Sequence, residues 1–253
     1  MRCAVTVTKL VGVHSSVICH HYKTVFVHVP KTAGQSVEQV FLELLDLTWE
    51  TRAPLLLRKN TVPELGPPRL AHLTAEDYVR YKYMTREQFD SYFKFAFVRN
   101  PWDRMVSYYK YLDESSDLGF KQYLMDSFLT KMWKDMNWFV RPQSSFLYDD
   151  DDRLLVDYVG RFENLQADFN KVCERIGIGA TELPYVNKSE KKPAESTSTL
   201  SKMKKLLGQS DSASMVKPKR YQEYYDDESR DLVAELYKRD IELFGYSFDA
   251  PGL

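Results

Sequence analysis

Apolar positions along the chain follow two rhythms. Thr24–Val29 (TVFVHV) and Tyr92–Val98 (YFKFAFV) are short runs of aromatic and β-branched residues, each closing on a turn signal, and they predict buried strands. Leu154–Phe162 (LLVDYVGRF) predicts a third strand, with Gly160 marking a bulge. Elsewhere the apolar spacing changes to three and four residues. Ser36–Leu47 sets Val37, Val40, Phe41, Leu44 and Leu45 on one helical stripe. Leu165, Phe169, Val172 and Ile176 form a second stripe after Glu163, stopped by Gly177. A last helix starts at Asp226 or Asp227 as N-cap and runs through Val233, Leu236, Tyr237 and Ile241 towards Gly245. Strands alternating with helices predict an α/β fold with a central, mostly parallel sheet. No repeat or linker divides the chain. The expectation is one domain over residues 24–253, preceded by an extension (1–23) with no assigned role.

Composition supports a packed core: 43% of the 253 residues are hydrophobic and 14% aromatic, which excludes a disordered chain. Thirty-five Lys and Arg against 36 Asp and Glu leave a formal charge of −1, without the global basic bias of nucleic-acid or membrane binders. The charge is unevenly spread. Asn187–Arg220 holds nine Lys or Arg, three Asp or Glu and seven Ser, so this segment carries +6 and the remainder −7. Its composition predicts a basic mobile loop over 187–220, with a short helix around Leu200–Leu207. Cys3, Cys19 and Cys173 show no metal-site or disulfide spacing and read as free thiols. The longest uncharged N-terminal stretch, Leu10–Tyr22, is 13 residues and is interrupted by His and Ser. It is too short for a membrane span of about 20 residues and too polar for a signal peptide, so the expected location is cytoplasmic.

Two strand-to-helix turns are suited to phosphates. In Val27–Val37 (VHVPKTAGQSV) a strand enters a small turn that opens an amphipathic helix, directing amide N–H groups and the positive helix end at one point. Gly34 would admit an anion close to the backbone, Ser36 adds a hydroxyl and Lys31 a mobile charge. The lysine precedes the glycine, unlike GxxxxGK[ST], and no strand ending in a magnesium-binding Asp follows. In Phe95–Tyr109 (FAFVRNPWDRMVSYY) a strand delivers Arg99 at its C-terminal end, Asn100 caps, and Pro101 suits the first helical position. Ser107 projects two turns along that helix. Asp103 and Arg104 read as partners in structural ion pairs, and Trp102 as a packing residue. Two such sites on adjacent strand ends suit a nucleotide carrying phosphate at both ends.

The PKTAGQS loop and the RNPWDRMVSYY segment together resemble the two cosubstrate motifs of sulfotransferases that use 3′-phosphoadenylyl sulfate (PAPS), in particular the carbohydrate branch that includes heparan sulfate 2-O-sulfotransferase and its bacterial relatives. The likeness extends through Tyr158–Ile178, NKSEKK and the terminal RYQEYYDDESRDLVAELYKRDIELFGYSF. It implies a P-loop NTPase-like three-layer fold, with a central mostly parallel sheet flanked by helices. By this resemblance Lys31, Thr32, Ala33, Gly34, Gln35 and Ser36 surround the 5′-phosphosulfate. Arg99 and Ser107 hold the 3′-phosphate, and Lys188 and Ser189 close over the nucleotide. Lys31 stabilises the leaving oxygen, and no metal is expected.

His72 in RLAHLTAEDY is the candidate general base. An imidazole titrates near neutrality, and the segment resembles the stretch carrying the catalytic histidine of that branch. The branch's second histidine, two positions earlier, is Leu70 here. Gln143 is placed at the acceptor side, and His28 reads as structural. Trp133 and Trp138 read as core residues with a sugar-stacking alternative, and Asp149–Asp152 as a solvated acidic loop. The expected partner is a hydroxylated acceptor, either carbohydrate or small molecule, with neither nucleic acid nor membrane, and the oligomeric state is left open. Two rival readings are a P-loop-like kinase using ATP and Mg, and a catalytically silent nucleotide- or glycan-binding protein.

Overall fold

A computed structural model describes residues 18–112, 118–184 and 219–249. Its centre is a four-stranded sheet in the order β1-β2-β3-β4: Ile18–Cys19 (β1), Thr24–Val27 (β2), Phe93–Val98 (β3) and Tyr158–Arg161 (β4). The short β1 pairs antiparallel with β2, while β2–β3 and β3–β4 are parallel, with Phe26 opposite Phe95 and Phe97 opposite Gly160. Alternation along each strand sends side chains to opposite faces. Phe26, Phe95 and Phe97 pack on one face against Gly34–Leu44 (α1) and Leu165–Ile176, through Val37, Phe41, Phe169 and Val172. Val25, Val27, Ala96 and Val98 pack on the other against Tyr78, Phe89, Phe146 and Phe244. Both faces are therefore covered, as parallel sheets require.

Strand β4 is shorter than the apolar run Leu154–Phe162 suggests. Asp157 takes over one end of the ladder: its carboxylate accepts the Lys94 N–H at 2.7 Å, and its own N–H donates to the Lys94 carbonyl at 2.8 Å. Gly160 is regularly paired and forms no bulge; a Cβ there would lie 2.5 Å from the Phe97 ring. Before β3, Arg86–Ser91 (α2) begins with a capping box between Thr85 and Gln88. After β3, Pro101–Leu112 (α3) is capped by Asn100, whose Oδ1 accepts the Trp102 N–H at 3.1 Å. The helix Leu165–Ile176 (α4) ends at left-handed Gly177.

The last helix also departs from expectation. Asp226 does cap it, but it breaks at Tyr237 into Asp227–Leu236 (α5) and Lys238–Phe244 (α6). The break lets the Tyr237 hydroxyl reach the Val140 carbonyl, and the buried Asp240 carboxylate accept the N–H groups of Gln143 and Ser144. A third core joins α3 to residues 120–140 and to α5, around Met105, Phe128 and Val233. The acidic run 149–152 is more than solvated: Asp149 pairs with Arg153 at 2.8 Å, and Asp152 pairs with Arg239. The expected short helix at 200–207 lies outside the described residues.

Candidate active site

The turn after β2 carries its strain on residues other than glycine. Lys31 (φ 69°) and Ala33 (φ 65°) both adopt the left-handed conformation, at a cost of about 1–2 kcal/mol each. Surrounding bonds hold them there. The Thr32 hydroxyl, fully buried, donates to the Val29 carbonyl at 2.8 Å. Arg99 Nη1 donates to the Lys31 carbonyl at 3.2 Å, and Arg104 Nε to the Pro30 carbonyl at 3.0 Å. Ala33 brings no capping side chain and α1 has no acidic residue in its first turn, so the helix opens with its positive end unneutralised by its own sequence. Ser36 lies half-buried in that first turn.

Gly34 has a different role from the one expected. Its φ is ordinary, and a Cβ on it would sit 1.9 Å from Nε2 of His28. The missing side chain makes room for an imidazole. His28 follows β2, stacks on Phe26 with ring centroids 5.4 Å apart, and donates from Nδ1 to Glu38 Oε1 at 2.6 Å. Glu38 is the residue that sequence chemistry alone does not single out, yet it stands with Gly34, Val37 and Phe41 at the inward spacing of i, i+3, i+4 and i+7. A carboxylate at such a position must find a partner.

His72 lies against the same ring, centroid to centroid 4.6 Å, and its Nδ1 contacts the His28 carbonyl at 3.2 Å. A carbonyl only accepts, so Nδ1 of His72 carries the proton and Nε2 of the neutral ring keeps its lone pair. Burial, reinforced by the Arg69 and Arg104 charges and the adjacent His28, holds the His72 imidazole well below its usual pKa. At neutral pH it is therefore in the proton-accepting form.

The turn after β3 meets this loop. Arg99 lies over the Phe162 ring at 3.9 Å and bonds Asp103 at 2.8 Å. Asp103, Ser107 and Tyr111 share one face of α3 at four-residue spacing. Lys31 Nζ lies 4.0 Å above the Tyr111 ring, so Lys31, Arg99 and half-buried Ser107 border the same face. Arg104 makes no ion pair among the described residues; it is buried and bonds the carbonyls of Pro30 and Arg141. Trp102 packs as expected, with Nε1 donating to the Arg230 carbonyl at 2.9 Å.

Gln143 is fully buried rather than set on an acceptor surface. Its Oε1 accepts the Arg99 N–H at 2.9 Å, and its Nε2 donates to the Arg99 carbonyl at 2.8 Å, so it fixes the backbone that carries the guanidinium. Lys188 and Ser189 lie outside the described residues. Cys19 and Cys173 are buried free thiols, and Cys3 lies outside the described residues. Among the described residues no group of three His, Cys, Asp or Glu could hold a metal ion, and no helix is long and apolar enough to cross a membrane.

The sequence profile of the sulfotransferase family matches residues 14–247. The chain belongs to the sulfotransferase family. An uncharacterized protein of Archaeoglobus fulgidus is 33% identical to this chain over 99 residues, which is 37% of this chain and 74% of that protein. No solved structure matches it significantly. The four-stranded, mostly parallel sheet with flanking helices fits such a fold.

Proposed function

We propose that the protein transfers the sulfuryl group of PAPS to a hydroxyl of a carbohydrate or another hydroxylated metabolite, releasing adenosine 3′,5′-bisphosphate (PAP). The observation that carries this reading is the bond from Arg99 to the Lys31 carbonyl. It ties the two anion-binding turns together beside a neutral, buried histidine. In this reading the backbone of residues 32–36 and the Ser36 hydroxyl receive the 5′-phosphosulfate, while Arg99 and Ser107 receive the 3′-phosphate. The acceptor oxygen bonds to sulfur as the bond from sulfur to the 5′-phosphate oxygen breaks. The acceptor proton passes to Nε2 of His72, and Lys31 Nζ stabilises the negative charge gathering on the departing oxygen. Arg104 and Gln143 are positioning residues: one braces the first turn, the other the second. A P-loop NTPase-like fold and the carbohydrate branch belong to this reading too, on the strength of the two motifs. The kinase alternative finds no support in the family match.

The test is thermal stabilisation by PAP compared with ATP–Mg, followed by transfer of labelled sulfate from PAPS. The expected result is stabilisation by PAP alone, with transfer reduced roughly 10²–10³-fold in Lys31→Ala, the usual loss for one transition-state charge contact. Stabilisation by ATP–Mg with no response to PAP would overturn the donor assignment.

A further inference from the structure

The chemistry above leaves unused a strip of aromatic rings that joins its two catalytic residues. The Trp138 ring lies 6.0 Å from the His72 imidazole, inclined by only 32°. Phe139 lies 5.4 Å from His72 and 5.4 Å from Trp138. Phe139 also meets Tyr111 at 6.2 Å, and Tyr111 carries Lys31 Nζ above its ring. Phe139 is buried and forms the floor; Trp138 is half-buried, and Tyr111 is 49% exposed. Both tryptophans are partly buried against the third core: Trp133 meets Phe128 and Tyr237, whereas Trp138 meets His72 and Phe139.

Among the described residues, two arginines near the strip bond backbone carbonyls. Arg104 donates to those of Pro30 and Arg141, and its buried Nη2 has no partner. Arg141 donates to the Ser145 carbonyl and lies over the Phe146 ring. The Arg69 side chain is exposed, and its backbone carbonyl accepts the His72 N–H at 3.1 Å. A polyanionic glycan would need a row of cations at its contact surface. An acceptor with a flat apolar ring face needs an aromatic surface, with a base at its rim.

We propose that Trp138 is the acceptor platform, and that the acceptor is an uncharged, ring-bearing alcohol whose ring lies on Trp138 while its hydroxyl reaches Nε2 of His72. This rests on the sulfuryl-transfer reading above and specifies its acceptor. Trp138 is thereby the residue that sets acceptor specificity.

The experiment offers the purified protein labelled PAPS with four acceptor probes: 4-nitrophenyl β-glucoside, cyclohexylmethanol, 1-hexanol and heparan sulfate. PAP-induced thermal stabilisation is measured on the same preparations. The two ring alcohols should exceed 1-hexanol and heparan sulfate in kcat/KM by about tenfold, the order expected of ring stacking. Trp138→Ala should remove that preference about tenfold through KM, Trp138→Phe should restore most of it, and the response to PAP should be unchanged in both. Preference for heparan sulfate, or ring-alcohol kcat/KM unchanged within about twofold in Trp138→Ala, would overturn the assignment. Stabilisation by PAP with no transfer to either ring alcohol overturns this inference alone. Failure of PAP to stabilise the wild-type protein sinks the donor reading and this inference with it.

Discussion

Gly34→Ala is predicted to destabilise the protein, although the backbone alone predicts the opposite. The φ of Gly34 is ordinary and the residue opens α1, so alanine should lower the entropy of the unfolded chain and stabilise by about 0.4–1 kcal/mol. The added Cβ, however, would lie 1.9, 2.1 and 2.4 Å from three atoms of the His28 ring. That ring has no room to withdraw. Phe26 stacks on one side, the His72 ring is 4.6 Å away, and Glu38 holds Nδ1 at 2.6 Å. Either the loop shifts, which as overpacking costs about 1–3 kcal/mol, or the ring leaves Glu38 and the buried pair breaks, which costs about 3–5 kcal/mol. A net loss of about 3 kcal/mol corresponds to roughly 6–12 °C in Tm for a chain of this size. Calorimetry of the wild type, Gly34→Ala, His28→Ala and the double variant separates the two arguments. In the His28→Ala background the same substitution should cost nothing, because the atoms it strikes are gone. An unchanged or raised Tm in Gly34→Ala alone would refute the claim that the glycine exists for the imidazole.

The remaining predictions concern the same cluster. His72→Ala should lower sulfuryl transfer by roughly 10²–10⁴-fold with PAP stabilisation intact, the usual weight of a general base; full activity would remove His72 from the mechanism. Because burial holds folded His72 below its ordinary value of 6.5, the unfolded chain binds more protons as pH falls through that value. Stability should then be fully present above about pH 6.5 and be lost progressively as pH falls below it towards the depressed folded-state value. A Tm–pH scan should show this slope flattened in His72→Gln. Gln143→Leu should weaken PAP stabilisation without touching any ligand, since it leaves the buried Arg99 N–H without its 2.9 Å acceptor. Asp103→Asn should weaken the ion pair that orients Arg99 at 2.8 Å, seen as a change of a few-fold in PAP affinity, with the salt dependence of binding altered.

Local chemistry explains which features could be read from the sequence. The two turns were legible because each needs only neighbouring residues: a strand, a small-residue loop, a cap and a helix. Asn100 and Pro101 perform as their types require. Long-range partners defeated the rest. Leu154–Val156 is apolar enough for a strand, but Asp157, 63 residues from Lys94 in sequence, decides where pairing starts. Tyr237 fits a continuous helix until its hydroxyl is required by Val140, 97 residues away. The sequence places Gln143 at the acceptor side because nothing nearby in sequence reveals that Arg99 uses both its ends.

The histidine cluster shows how such long-range demands build chemistry. Glu38 fixes His28, His28 fills the space that Gly34 leaves open, and the His28 carbonyl takes the Nδ1 proton of His72. The lone pair on His72 Nε2 is thus set by a chain of contacts that begins on α1, the helix whose N-terminus receives the donor in the proposed reading. In that reading donor loop and base share one support, so displacing the His28 ring should disturb both together. Loss of PAP stabilisation and of transfer in the same Gly34→Ala protein would be the functional signature of that coupling. Loss of transfer alone would place the support under the base only, leaving the loop to be held by Arg99, Arg104 and the buried Thr32 hydroxyl.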